Sequence, residues 1–400
     1  MISYNDCMIS VEQAIDIVNL NVAAIKQSET LALTNAHNRV LSKDVISPIN
    51  MPPFRQSAMD GYAVKLHDDS NYEIIDEVKA GDNHQPILKQ GQATRIFTGA
   101  PVPDTADAII IQEHTSVLGK QLTANRLVAN NANIRPLGEQ IRKGDTALKK
   151  GTKLNAAGVA FLTSLGFTEV EVYKSPSIGI VVTGNELAKA GDPLEYGQIY
   201  ESNAIMLTSA LNNLGYSNIE IKTVEDNYKS TFNLLGHMLD KHDVLLVSGG
   251  ISVGDYDFVG KALVENGVQQ LFYKVKQKPG KPLFFGKKEE TYVFALPGNP
   301  ASALSCFYIY ANTALQRLSG NLKFKLEKTT ARSISIFQKK GDRAQFLKAI
   351  YDNEKVQILE GQNSSMIHTF ALANALVHIS ESTTKIEVDD VVDVILLPIK

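Results

Sequence analysis

From Ser10 onward apolar residues recur every three to four positions, and Val11, Ala14, Ile15, Val18, Val22 and Ile25 form one stripe. Ser10 and Gln13 have capping-box spacing, so the pattern predicts a helix starting near Ser10 with one face on a core. Ser47-Pro48 and Pro52-Pro53 then interrupt regular structure, because proline lacks an N–H and disfavours helix in the residue before it. From about 71 to 142 the pattern shortens to strand-like runs such as YEIIDEV and ADAIIIQ, separated by Gly, Asn and Pro clusters. A short helix between Asn155 and Gly166, with an Asn cap and a Gly stop, suggests that the chain re-enters its first, helical unit.

From Ser177 strands and helices alternate strictly. SIGIVV precedes a helix carrying Leu207, Ala210, Leu211 and Leu214. IEIKTV precedes one carrying Phe232, Leu235 and Leu239. DVLLVSGG leads to a helix around Val259 and Leu263, and YVFALPG to a long helix from about Pro300 to Leu318. Strands this apolar are expected to be buried on both faces, and β-α repetition at this spacing predicts a doubly wound, parallel α/β sheet. Its ligand site belongs at the loops beyond the carboxyl ends of the strands. After about Lys325, SISIF, QFLKAIY, KVQIL, NALVHI and DVVDVILLPI read as five short strands of a small barrel or sandwich. The expected units are a discontinuous helical domain (1–46 and 143–176), a β-rich lobe (47–142), the α/β domain (177–325) and the β tail (326–400).

Composition narrows the function classes. Among 400 residues, 44% are hydrophobic and 21% charged, which excludes disorder as the overall state. Forty basic against 43 acidic side chains leave a net charge of −3, so no global field draws in nucleic acid or an anionic membrane. The two cysteines, Cys7 and Cys306, make no disulfide framework or zinc site and fit a reducing compartment. The first residues lack both a basic leader and a long apolar core, and no run reaches the roughly 18 apolar residues of a membrane span, so a cytoplasmic location is expected.

Candidate chemistry clusters at the expected strand ends. The loop from Ser248 to Asp257 (SGGISVGDYD) could cradle an anion, since glycines admit close approach and the next helix start offers unpaired N–H groups; an ordinary turn would use the same glycines. It has neither the Gly-Lys-Ser/Thr of a P-loop nor a GxGxxG fingerprint. In Pro297-Gly298-Asn299-Pro300, capping alone accounts for part of the pattern. Lys278-Pro279-Gly280-Lys281 sets two lysines about a rigid turn, which suits phosphate or another tetrahedral oxyanion. Glu186 in TGNEL, Asp226 in VEDN and Asp257 recur at three strand ends. Carboxylates beside a phosphate repel it unless a hard cation intervenes, so Mg²⁺ is the economical reading. His114, His237 and His368 show no metal-ligand spacing, and Cys306 reads as core.

In chain order, PPFRQSAMDGYAV, FTGAPVPDTADAII, TGNEL, SGGISVGDYD, KPGKP and ALPGNPASAL resemble the MoeA-type molybdopterin molybdenumtransferases, the family that includes the E domain of gephyrin. The likeness runs over essentially the whole chain. It implies a homodimer of four-domain protomers whose α/β unit is a MogA-like molybdopterin-binding domain and whose tail is a β-barrel, with a cleft between the α/β domain of one protomer and the lobe of the other. It also implies a reaction that takes adenylylated molybdopterin and molybdate, hydrolyses the adenylate with Mg²⁺ and releases AMP, fed by a molybdopterin adenylyltransferase as functional partner. Carried over residue by residue, Asp60 and Thr98 would act from the lobe. Glu186, Asp226 and Asp257 would surround the pyrophosphate and Mg²⁺, with Glu186 and Asp257 as metal ligands. Gly249, Gly250 and Ser252 would admit the ligand, and Lys278, Lys281, Pro297 and Pro300 would border the pterin phosphate and molybdate. Where family members carry an Arg and later a Gly-Ser pair, this chain has Lys348 and then Ser364-Ser365, so Lys348 and Ser365 would join the cofactor-binding set, Lys348 at the molybdate contact. Lysine keeps the charge but not the planar fork, and Arg343 lies near enough in sequence to compensate. Two other activities share these motifs: molybdopterin adenylylation, which needs only the α/β unit, and a gephyrin-like scaffold, which here lacks a fused second domain or long linker.

Overall fold

A computed structural model describes residues 8–251 and 258–399. Helix α1 (Val11–Asn21) starts with a complete capping box: the Ser10 hydroxyl accepts from the Gln13 N–H at 3.2 Å, and the Gln13 side chain accepts from the Ser10 N–H at 2.9 Å. Its buried face, Val11, Ala14 and Val18, packs against the α/β core rather than against the second helix of the first unit. The helix stops at Asn21, and Ile25 reaches the same core from beyond its end. Strand Ser28–Ala32 pairs antiparallel with Glu169–Tyr173, bringing the two parts of the first unit together. α2 (Ala156–Ser164) is capped by the Asn155 side chain, which accepts from the Gly158 N–H at 2.8 Å, and shares a core with Leu33, Leu41 and Val172.

The intervening lobe is a six-stranded sheet running Ala108–Ile111, Gly61–Val64, Gln92–Ile96, Asn71–Val78, Gln121–Ala124, Thr115–Leu118. The chain leaves for the lobe at Val45–Ile46 and returns at Thr146–Leu148, and these two segments pair with each other.

The α/β unit holds β1 (Ile178–Thr183), α3 (Asn203–Asn213), β2 (Ile219–Val224), α4 (Tyr228–Lys241), β3 (Val244–Ser248), α5 (Phe258–Glu265), β4 (Gln269–Lys274), β5 (Pro282–Lys288) and β6 (Thr291–Leu296). The sheet order is 2-1-3-6-5-4, parallel across β2, β1, β3 and β6 and antiparallel across β6, β5 and β4. Helices cover both faces: α3 and the long C-terminal helix share one core with α1, while α4 and α5 share the other. The expected doubly wound sheet is present, with two corrections. β2 is an edge strand with Ile221 exposed, and the antiparallel strands β4 and β5 extend the opposite side. The long helix runs from α-helical Pro300–Cys306 through a π turn at Phe307–Ala311 to α-helical Asn312–Leu318.

The tail is a closed five-stranded barrel of β7 (Lys328–Ser333), β8 (Ala344–Asp352), β9 (Lys355–Ile358), β10 (Ala375–Ile379) and β11 (Val391–Leu396), each strand pairing with two others. Its first strand lies one step earlier than SISIF. The Ser333 hydroxyl bonds both the backbone N–H and the carbonyl of Ser335, which turns the chain and leaves Ile334 and Ile336 exposed. No helix among the described residues is long and apolar enough to cross a membrane.

On β8, on the face away from the barrel's own core, Lys348 is 3% exposed. Its ammonium donates to the carbonyls of Gly361 and Met366, both at 2.8 Å, and burial pushes its pKa down. The Gln362 amide clasps the Lys348 backbone in return, accepting from its N–H and donating to its carbonyl, each at 2.9 Å. Replacing Lys348 by Met should leave these buried carbonyls without a donor and lower unfolding free energy by about 2 kcal/mol in urea titrations. An unchanged midpoint would show that the ammonium does not hold the loop.

Candidate active site

A cavity of about 460 Å³ opens at the carboxyl ends of β1, β3 and β6, facing the first residues of α3 and of the long helix. The chain winds from β1 outward to β2 and then back across to β3, so the cavity sits at the point where strand order reverses. Both helix N-termini bring a positive partial charge there.

Against that charge stand Glu186 and Asp226, brought to one cavity by the TGNEL and VEDN turns. Asp226 accepts a hydrogen bond from the Thr183 hydroxyl, and its own N–H donates to the Asn185 side chain at 2.9 Å. TGNEL therefore supplies one carboxylate and positions another. Glu201 also reaches the lining, but it accepts from the Ala204 N–H at 2.8 Å and so caps α3. Asn203, which the sequence reading missed, is 7% exposed and donates to the Ser248 hydroxyl at 2.8 Å and to the Gly298 carbonyl at 2.7 Å. It ties the ends of β3 and β6 together. The only sequence signal for it was the polar triplet Glu201-Ser202-Asn203 just ahead of a helix pattern.

Gly249 and Gly250 line the cavity with φ of +95° and +62°. A Cβ on Gly249 would overlap the Thr183 carbonyl oxygen, and one on Gly250 would lie 2.5 Å from a Val259 methyl on α5 and 2.9 Å from the Thr183 methyl. The protein's own strand and helix packing already favours glycine at both positions. Ser252 and Asp257 lie outside the described residues.

Pro297 and Pro300 line the cavity, whereas Lys278 and Lys281 do not. Lys278 instead borders a second cavity of about 210 Å³, closed on its far side by barrel residues including Lys340, Gln345 and Gln362. Since Pro282 reaches the first cavity, the KPGKP loop spans the two. A second link joins them, with the Asn299 amide donating to the Ser364 hydroxyl at 3.2 Å beside exposed Ser365. Lys348, expected at the molybdate contact, instead has its ammonium bonded to carbonyls of the 361–366 loop that carries those serines. Arg343 donates to the Gln277 carbonyl at 3.1 Å, next to Lys278.

Asp60 and Thr98 meet in the lobe, outside both cavities. The Thr98 N–H and hydroxyl donate to one Asp60 oxygen at 2.7 and 2.9 Å, and these bonds hold the Asp60 carboxyl below its ordinary pKa. Phe54 and Met59 are exposed beside them. Among the described residues no three His, Cys, Asp or Glu side chains converge as a metal site. Two lining carboxylates with room for phosphate oxygens nevertheless suit Mg²⁺, which takes one or two protein carboxylates and completes its shell from substrate and water.

This sheet, with a crevice at its switch point, a lobe inserted before it and a barrel after it, defines a multidomain α/β protein. Residues 9–166 match the model of the MoeA N-terminal region (domain I and II), 179–317 that of a probable molybdopterin binding domain, and 330–397 that of the MoeA C-terminal region (domain IV). A molybdopterin molybdenumtransferase of Haemophilus influenzae is 34% identical over 378 residues, covering 92% of this chain and 93% of that protein. One from Staphylococcus aureus is 29% identical over 97% of this chain and 95% of its own length. The crystal structure of a molybdopterin biosynthesis moeA protein from Pyrococcus horikoshii superposes with a TM-score of 0.84 at 26% identity, covering 98% of this chain and all of that one. The chain belongs to the molybdopterin molybdenumtransferase family.

Since neighbouring backbone alone demands glycine at position 249, Gly249→Ala should destabilise the ligand-free protein by at least about 2 kcal/mol, from strain and overlap together. Chemical denaturation without substrate measures it. A loss seen only with ligand bound would return the glycine to a binding role.

Proposed function

We propose that this chain inserts molybdate into adenylylated molybdopterin in the cytoplasm, hydrolysing the adenylate and releasing AMP, and that it works as a homodimer. The observation that carries the reading is the meeting of Glu186 and Asp226 with two helix N-termini in one cavity. That arrangement suits a phosphate-bearing ligand accompanied by a cation. Glu186 and Asp257 would hold Mg²⁺, and Asp226 lines the same cavity as Glu186; when bound, the cation would neutralise charge on the adenylate phosphates. Thr183 and Asn185 keep Asp226 in place, and Asn203 fixes the two strand ends that form the floor. Lys278, Lys281, Pro297 and Pro300 border the pterin phosphate and molybdate, and Ser365 joins them from the barrel loop that Lys348 holds.

Asp60 supplies the water-orienting carboxylate from the partner protomer's lobe. Its ionised state is secured by the two Thr98 bonds, so it can accept a hydrogen bond from water without first losing a proton. Support for a shared cleft comes from apolar side chains left exposed on both expected sides: Phe54 and Met59 on the lobe, and Leu194, Ile199 and Tyr200 near the cavity mouth. The adenylyltransferase reading is disfavoured because the chain carries the lobe and barrel of the transferase family in addition to the α/β unit.

Incubation with adenylylated molybdopterin and molybdate, with and without Mg²⁺, should release AMP only when the cation is present. Absence of AMP in every condition would sink the proposal. Glu186→Gln and Asp60→Asn should each lower turnover about a hundredfold or more. A verified mixed dimer of the two variants should recover about half the sites by two-fold symmetry. No recovery would count against the shared cleft.

The pH dependence has a definite sign. Thr98 lowers the Asp60 pKa, so activity that needs the carboxylate persists into acid and fails only as pH falls through that depressed value. Thr98→Val removes the hydroxyl donor and should move the acid limb of AMP release to higher pH. An unmoved limb would assign it to another group.

A further inference from the structure

Beneath the KPGKP loop lies Gln277, a fully buried polar side chain whose hydrogen-bonding groups are all engaged. Its amide oxygen accepts from the Tyr310 hydroxyl. Its amide nitrogen donates to the Gly280 carbonyl at 3.1 Å and to Cys306 Sγ at 3.4 Å. The Gln277 carbonyl accepts from Arg343, and Gln277–Lys278 adds a short parallel pairing onto Ala344 and Gln345 at the start of β8. Tyr310 is equally buried and stands in the π turn of the long helix, where one extra residue per turn changes which side chains face the loop. Gly280 completes the fit with a φ of +82°, since a Cβ there would overlap Cys306 Sγ.

We infer that Tyr310 and Gln277 are positioning residues: the π turn presents a phenol that locks Gln277, and Gln277 fixes the spacing and direction of Lys278 and Lys281 in the loop that runs between the two cavities. The inference rests on the proposed role of those lysines in holding pterin phosphate and molybdate. Both side chains are fully buried and line neither cavity. A free amide in this interior would satisfy itself in several ways, whereas the Tyr310 donor commits its oxygen and thereby directs both N–H groups at Gly280 and Cys306. The loop then reaches substrate already ordered, and binding does not have to order it.

Tyr310→Phe removes one oxygen and keeps the ring, and Gln277→Met removes the amide at similar volume. In each variant, hydrogen exchange of the Lys278, Gly280 and Lys281 amides should rise about tenfold, on the loss of one buried hydrogen bond, while the Val244–Ser248 amides exchange as in wild type. KM for adenylylated molybdopterin should rise by a similar factor with kcat changed less than about twofold. Adding Tyr310→Phe to a variant carrying both Lys278→Ala and Lys281→Ala should produce no further loss, because the tyrosine acts through the two lysines. Wild-type exchange in the loop of Tyr310→Phe overturns the inference, as does a full additive loss in that triple variant. Failure of the functional reading is seen separately: Lys278→Ala and Lys281→Ala would then turn over like wild type, while the exchange experiment still reports whether Tyr310 orders the loop.

Discussion

The shared direction of β1, β2, β3 and β6 is the constraint from which the site follows. In parallel βα units each strand ends, and each following helix begins, at the same rim, so unpaired helix N–H groups collect there. The rim is favourable to anions before any side chain is placed. Glu186 and Asp226 then set two carboxylates against that background, in one cavity. The rim is also tightly built: Gly249 and Gly250 crowd Thr183, and Asn203 bonds the ends of β3 and β6. Positive φ and close strand packing are thus the reason for the glycine pair, with ligand access a consequence.

The barrel lines most of the second cavity and also holds the lysine loop through direct contacts. Gln277–Lys278 pairs with the start of β8, Arg343 bonds the Gln277 carbonyl, and Asn299 meets Ser364. The lysine loop is consequently held from one side by the long helix and from the other by the barrel. Lys348 belongs to this framework. A buried ammonium surrounded by carbonyls is a stable arrangement because each bond is charge-assisted, and it orders the serine-bearing loop from within.

Much of the fold was legible where one residue type served one purpose. The α1 capping box, the Asn155 cap and the fully apolar strands β1, β3 and β6 announce themselves locally. Less legible were elements whose meaning depends on distant partners. β4 and β5 carry Gln and Lys at their ends and pair antiparallel at an edge, so strict β-α alternation passed them over. The start of the barrel was displaced because SISIF has strand-like alternation, yet the Ser333 hydroxyl turns the chain before its isoleucines. In the site, strand-end carboxylates were legible from their recurrence at loops. Thr183, Asn185 and Asn203 were not, because their importance lies in hydrogen bonds to residues 41 to 95 positions away. Lys348 shows the converse: its place in the motif implied a ligand contact, and burial gave it an internal partner set.

The pairing of Val45–Ile46 with Thr146–Leu148 has one more consequence. Topologically the whole lobe is the tip of a very long hairpin, with its two ends zipped side by side. The entropy of closing a loop grows only logarithmically with its length, so hanging a folded sheet on that ribbon cost the parent unit little more than a short turn would. Such a graft can vary in sequence and size while its anchorage stays constant, which is how an appendage can supply chemistry to a site it does not build.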